Sequence, residues 1–287
     1  MLDALDISCY IKRMANTLNK DKQIAVISAL CEGSSMRALA RMTDIHRDTI
    51  NRLAVRIGQG CARLLDQKMR NLTCDNLQLD EVWGFIGKKQ RNLLVDDDPT
   101  KGDVWTFCAI DAETKLVPVF KVGKRDAETA NAFVSDLAGR LTSRVQLSTD
   151  GLKAYLEAVE NAFGMDVDYA QVIKVYAHDT VQHPERKYSA PDFVSNEKIH
   201  IVGKPKMSLA STSYVERVNG TTRQHMRRLS RLTLAFSKKL ENFEAAVALH
   251  FAYYNFVRTH GTLKCTPAMA AGVEKSFLTV GDLIEAA

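Results

Sequence analysis

The sequence predicts an α/β protein in which a mixed-sheet core follows an all-α region. Through residue 72 the apolar positions recur at helical spacing, and from residue 77 strand-like runs alternate with amphipathic helices. At 287 residues and 46% hydrophobic content the chain has enough material for one large domain, a smaller one and a proper core. The expected organisation is a helical region over 1–72, the core over 73–235 with an insertion at 177–211, and a helical segment over 236–287.

The first helix is expected over 20–32, with Ile24, Ile27, Ala29 and Leu30 on its apolar side and Gly33 ending it. Ser34 or Ser35 can cap a short second helix through Met42, with Leu39 inward. Thr43 and Asp44 offer caps for a third helix containing Ile50, Leu53 and Ile57, and 55–72 reads as a helical connector. Helix, short helix, turn, helix is the helix-turn-helix order. Its third helix would turn His46, Arg47, Thr49, Asn51 and Arg52 outward, with Arg47, Asn51 and Arg52 reading bases or phosphates.

The core begins with LQLDEVWGFI over 77–86, a buried strand interrupted by Asp80 and Glu81. Alternation puts these two on opposite faces, so only one is expected at a shared site, and Asp80 is the choice. A charged loop follows, whose Asp96, Asp97 and Asp98 read as solvated. Strands at 104–110 and 116–122 form a hairpin with Asp111 as a turn former. A helix over 126–141 turns Ala130, Phe133, Val134 and Leu137 inward, and a short strand over 145–149 ends at Asp150-Gly151. Another helix over 152–163 and a strand over 169–176 complete an order that matches a ribonuclease-H-like core. The insertion at 177–211, with a possible hairpin around 199–202, is long enough to suggest a functional loop, here one that contacts DNA.

Chemistry points to three carboxylates: Asp80 in a strand, Asp150 where a strand gives way to a helix, and Glu216 opening a basic helix. Ligands gather at the carboxyl ends of strands in open α/β sheets. Hard cations such as Mg²⁺ or Mn²⁺ take oxygen ligands, and a pair of them can clamp a phosphodiester displacement. The charge distribution fits such a substrate. Net charge is only +5, but residues 198–264 carry twelve Lys and Arg against three Glu. Within 212–229, Glu216, Asn219, Gly220, Arg223 and Arg227 lie near one helical stripe. Arg217, Asn219, Arg223, Arg227, Arg228, Arg231, Lys238 and Lys239 are the expected phosphate ligands.

Other readings fall away. The cysteines (9, 31, 61, 74, 108 and 265) form no CxxC pair, so reduced thiols in a cytosolic protein are expected. Residues 1–11 have two Asp and no Lys or Arg, unlike a signal peptide, and no apolar stretch approaches the roughly 20 residues of a membrane span. Trp83 and Trp105 read as core, and Tyr155, Tyr253 and Tyr254 as core or surface tyrosines rather than nucleophiles. His225, His250 and His260 fall on different elements, and 240–256 reads as a packing helix with a possible dimer face.

Residues 211–273, STSYVERVNGTTRQHMRRL through TPAMAAGV, resemble the C-terminal half of bacterial insertion-sequence DDE transposases. The similarity is greatest to single-chain members of the first-named insertion-sequence family. LDEVWGFIGKKQRN and STDGLKAYLEAV resemble that family's two acidic motifs. The resemblance implies an Asp80, Asp150, Glu216 triad on a ribonuclease-H-like fold, using Mg²⁺ or Mn²⁺. It further implies cleavage at element ends, joining of the 3′-OH to target DNA, action as a homo-oligomer on double-stranded DNA, and a cytoplasmic, nucleoid-associated location. The chain lacks the cysteines of the zinc module some relatives carry, and it is small at Gly220 and Thr221. A helix-turn-helix regulator with an inactive core, or a nuclease that hydrolyses without joining, are the alternatives.

Overall fold

The computed structural model describes residues 18–177, 192–230 and 232–287. Arg231 and residues 178–191 of the expected insertion lie outside them. Helix α1 (Lys20–Cys31) starts at Asn19, whose side chain accepts from the Lys22 amide, and gives way to Gly33 at φ 87°. Helix α2 (Met36–Thr43) is capped by Ser35, as expected, through a bond from the Ala38 amide. The third helix, α3 (Arg47–Lys68), begins later than the Thr43-Asp44 caps implied. Thr43 instead donates its hydroxyl back to Leu39 O, and Asp44 takes the left-handed conformation, leaving His46 as the cap. The recognition helix and connector of the sequence reading are one rod of 22 residues, because Ile50, Leu53, Ile57, Cys61 and Leu65 continue a single buried stripe.

Among the described residues six strands form one sheet in the order β3-β2-β1-β4-β5-β6: β1 (Asn76–Ile86), β2 (Gly102–Asp111), β3 (Phe120–Gly123), β4 (Val145–Thr149), β5 (Val167–Tyr176) and β6 (Phe193–Val202). The β1–β2–β3 meander and the β5–β6 pair are antiparallel, whereas β1, β4 and β5 run parallel. Parallel neighbours need crossovers. Helices α4 (Ala127–Ala138), capped by Asp126, and α5 (Ala154–Phe163) supply them. Ala130, Phe133, Val134 and Leu137 are fully buried, as the periodicity required.

Three expectations change. Strand β3 is shorter than 116–122, because the buried Asn255 amide takes both Val117 N and Val117 O out of the ladder. The possible hairpin at 199–202 is part of a ten-residue edge strand whose largely exposed side chains masked it. Asp97 is far from solvated, since its side chain is 11% exposed and pairs with Lys88 and Lys101. Asp111 does form a turn, accepting from the Thr114 amide and hydroxyl.

After β6 come α6 (Ser213–His225), a 3₁₀ turn (Arg227–Leu229), α7 (Leu240–Ala252) running into a π-helical turn (Tyr253–Val257), then α8 (Pro267–Ala270) and α9 (Val280–Glu285). Helix α7 is buried on nearly every side, with Phe243, Val247, Leu249 and Phe251 all at 5% exposure or less. It crosses α3 so closely that a Cβ at Gly58 would collide with the Ala245 carbonyl. The apolar face of 240–256 is thus consumed within the chain rather than offered to a second copy. One continuous apolar core runs from Val26 to Leu283 and includes residues of all three predicted segments. Among the described residues no helix is long and apolar enough to cross a membrane.

Candidate metal centre

The last β1–β4 pair is Leu79 with Thr149, yet β1 continues to Ile86. Asp80 and Glu81 therefore sit just past the end of β4, where the sheet has lost that neighbour and the chain turns off at Asp150. Alternation still holds. Asp80 faces α6, its Oδ2 accepting from Asn219 Nδ2 at 2.9 Å. Glu81 faces the α4–α5 side, its oxygens accepting from Arg125 Nε at 2.6 Å and the Tyr155 hydroxyl at 3.2 Å. Beyond the end of β4, however, both faces open onto the same space. Asp80, Glu81 and Asp150 each bring an oxygen within 4.8 Å of the other two.

The expectation that only one of the β1 acids could serve a shared site is thereby corrected, and Glu81 is the residue sequence reasoning missed. The usable signal was the contrast between an eleven-residue β1 and a five-residue β4. Asp150 is held by its Oδ1, which accepts from the Leu152 amide at 3.0 Å, and this turn delays α5 to Ala154. Its Oδ2 lies 3.6 Å from Arg125 Nη2. Glu216, in the first turn of α6, accepts from the Thr212 hydroxyl at 2.6 Å and pairs with Lys174 of β5. It stands outside the three-carboxylate cluster while adding its charge to the field at Asp80.

Cations are distributed unevenly among these acids. Arg125 serves Glu81 and Asp150, and Lys174 serves Glu216. Among the described residues no cation comes within ion-pair distance of Asp80. Burial, and then the negative charge of Glu81, push the Asp80 carboxyl up to about 7, with Asp150 and Glu216 adding to the effect. Glu81 is raised for the same kinds of reason, burial and then Asp150, with Arg125 opposing. A buried carboxylate without a counter-charge must be neutralised by a proton or a cation.

The donor set fits a hard divalent ion. Every group is an oxygen donor, and Asn219 Oδ1 is buried without a hydrogen-bond partner beside Asp80. Asp80, Glu81 and Asp150 could hold such an ion, with Asn219 at the margin.

The predicted phosphate ligands divide. Asn219 is spent on Asp80. Arg223 Nη1 donates to Leu229 O at 3.0 Å, Arg227 Nε to Gly33 O at 3.1 Å and Arg228 Nη1 to Ser237 Oγ at 2.6 Å. Burial lowers the Arg228 pKa. These arginines knit the end of α6 to its surroundings. Arg217, Lys238, Arg47 and Arg52 are exposed and Asn51 is half-buried; Lys239 is exposed 3.5 Å from Glu241, and Arg47 lies 3.6 Å from Asp48. Arg37, Arg47, Asn51, Arg227, Arg228 and Lys238 nevertheless line one groove of about 550 Å³ between the first three helices and the α6–α7 region. Arg37 had no signal of its own in the sequence.

No family model and no curated protein matches the chain. Among solved structures it is similar to piggyBac transposase in a synaptic complex with hairpin DNA, at 13% identity over 94% of this chain and 70% of that one, with a TM-score of 0.44. It is also similar to Mos1 transposase in a paired-end complex with the left transposon end, at 11% identity over 59% of this chain and 67% of that one, with a TM-score of 0.23. Similarity at that level leaves the assignment to the side chains themselves.

Proposed function

We propose that the chain is a divalent-metal-dependent DNA transposase on a ribonuclease-H-like core. It would cut the ends of an insertion sequence and join the freed 3′-OH to target DNA. The observation that carries this reading is Asp80: a half-buried carboxylate, clustered with Glu81 and Asp150 at the end of β4, with no cation at ion-pair distance among the described residues. The sheet order, the basic groove and the sequence resemblance support it.

Asp80 and Asp150 would be the principal ligands of Mg²⁺ or Mn²⁺. When bound, the ion lowers the pKa of a water and offsets charge on the phosphodiester. Asn219 orients Asp80 through its amide, and Arg125 fixes Glu81 and Asp150 relative to each other. Glu216 completes the Asp-Asp-Glu set once it leaves Lys174. The helix-turn-helix residues Arg47, Asn51 and Arg52, with Arg217, Lys238 and Lys239, bind the DNA backbone, and two ends require two protomers. No protein–DNA covalent bond is needed. Tyr155 is buried against Glu81, and the Tyr253 and Tyr254 hydroxyls donate to Glu32 and to Lys115 O.

The test is incubation of the purified chain with the ends of its flanking element, a target duplex and Mg²⁺, with and without Asp150→Asn. Cleaved ends and joined products, both lost in the variant, support the reading. Cleavage without joining would leave a hydrolytic nuclease. Activity that survives in the variant would remove the carboxylates from the chemistry.

A further inference from the structure

A second cavity, of about 490 Å³, lies against α6 on the side away from the carboxylates. At 100° per residue Tyr214, Arg217 and Thr221 fall on one face of the helix, while Glu216, Asn219 and Arg223 fall on the other. The first set lines the cavity together with Lys115, Arg258 and His260, and no Asp or Glu is among the lining residues.

Among the described residues none of these cations has a carboxylate at ion-pair distance. Lys115 is only 8% exposed, donates Nζ to Ala112 O, and sits 3.4 Å from the centroid of the Tyr214 ring. Among the described residues no carboxylate reaches ion-pair distance of it, and Asp111, four residues back, turns its Oδ2 to Thr114. Arg258 Nη1 meets an imidazole, His225 Nε2, at 2.6 Å. Arg217 has no ion-pair partner among the described residues. The Nδ1 of His260 is buried without a partner. Burial, and then the charges of Lys115, Arg217 and Arg258, hold the His260 pKa below its ordinary value.

Gathering three cations around a partly desolvated cavity costs free energy unless an anion completes it. An ammonium and two guanidiniums, bordered by the Thr221 hydroxyl, match a phosphate in charge and in donor number. The cavity volume falls within the roughly 300–1,000 Å³ of small-ligand sites, more room than a bare phosphate fills. Tyr214 is 40% exposed and, with Lys115 against it, offers an aromatic wall of the kind bases stack on.

We propose that this cavity is a nucleotide-phosphate subsite, with Lys115, Arg217 and Arg258 holding the phosphate and Tyr214 packing against the attached sugar or base. The source of that phosphate is either a free nucleotide or a nucleotide within a DNA strand. The subsite uses none of the carboxylates and so stands or falls apart from the metal centre.

Calorimetric titration of the full chain without divalent metal tests it, using inorganic phosphate, a deoxynucleoside monophosphate, the unphosphorylated nucleoside and a short single strand. The phosphate-bearing probes should bind and the bare nucleoside should not. Arg217→Gln, at an exposed position, should weaken binding tenfold or more, and Lys115→Met should do the same where it folds. Tyr214→Leu should weaken the monophosphate more than inorganic phosphate, and Lys275→Gln should change neither. Tighter binding of the strand identifies the DNA backbone as the source, whereas binding of the monophosphate alone identifies a free nucleotide. Asp150→Asn should bind phosphate like the unaltered chain, which separates this result from failure of the nuclease reading. Absence of phosphate binding, or binding indifferent to Arg217→Gln, would overturn the proposal.

Discussion

Asp80 carries opposite consequences for stability and for function. In the metal-free chain its carboxyl titrates near 7, against 3.8 for an unperturbed Asp, so the folded state holds the proton more tightly than the unfolded one. The sign follows: the penalty is absent below about pH 4, grows as pH rises, and is complete above about 7. Asp80→Asn should therefore raise the melting temperature of the metal-free protein at pH 8, with an effect on the order of 2–4 kcal/mol, and change it far less at pH 5. Millimolar Mg²⁺ should stabilise the unaltered chain at pH 8 more than at pH 6, and Asp80→Asn at neither. Equal Mg²⁺ effects on the two proteins would contradict this. Lys174 supplies a second prediction at this scale. It holds Glu216 as a cation would, so Lys174→Met should raise Mn²⁺ affinity severalfold, read by calorimetry, if the two compete for that carboxylate. Asp80 and Asp150 were legible in the sequence because a carboxylate in an apolar strand and one at a strand end each break a pattern. Glu81 was not, since its nearness to Asp150 depends on how far β1 outruns β4.

At the scale of elements, two contacts that local patterns cannot show hold the site's framework. Gly58 lets α3 and α7 approach backbone to backbone, and Gly58→Ala should cost about 1–3 kcal/mol by chemical denaturation because neither backbone can yield cheaply. Asn255 satisfies Val117 N and Val117 O across 138 residues of sequence. Asn255→Ala would strand both groups, at about 1–3 kcal/mol each. The helices α4 and α5 and the short strand β4 were readable because their apolar positions follow one period without interruption. Strand β6 was obscured, since an edge strand with most side chains in water shows little alternation to read. The start of α3 was misplaced because Thr43 bonds back to Leu39 O and Asp44 takes the left-handed conformation before His46 takes the cap.

Across the whole molecule, charge is segregated: an acidic centre at the end of β4, a basic groove between the first helices and the α6–α7 region, and a cationic cavity behind α6. Composition alone showed only a net +5, and the separation appears when the fold joins residues 37 and 47 to residues 227–238. If duplex DNA lies in that groove, binding should weaken steeply with salt. Replacing Arg37, Arg47 or Lys238 by Gln should lower the log–log slope by about one each, while replacing Lys153 should not.

The central claim is that Asp80, Glu81 and Asp150 form one hard-cation centre, and its most direct test is titration of the full chain with Mn²⁺ followed by electron paramagnetic resonance. Saturable loss of the free-ion signal is expected, competed by Mg²⁺ and abolished by Asp80→Asn and by Asp150→Asn. Binding that is undiminished in both variants, or absent from the unaltered chain at pH 8, would contradict it.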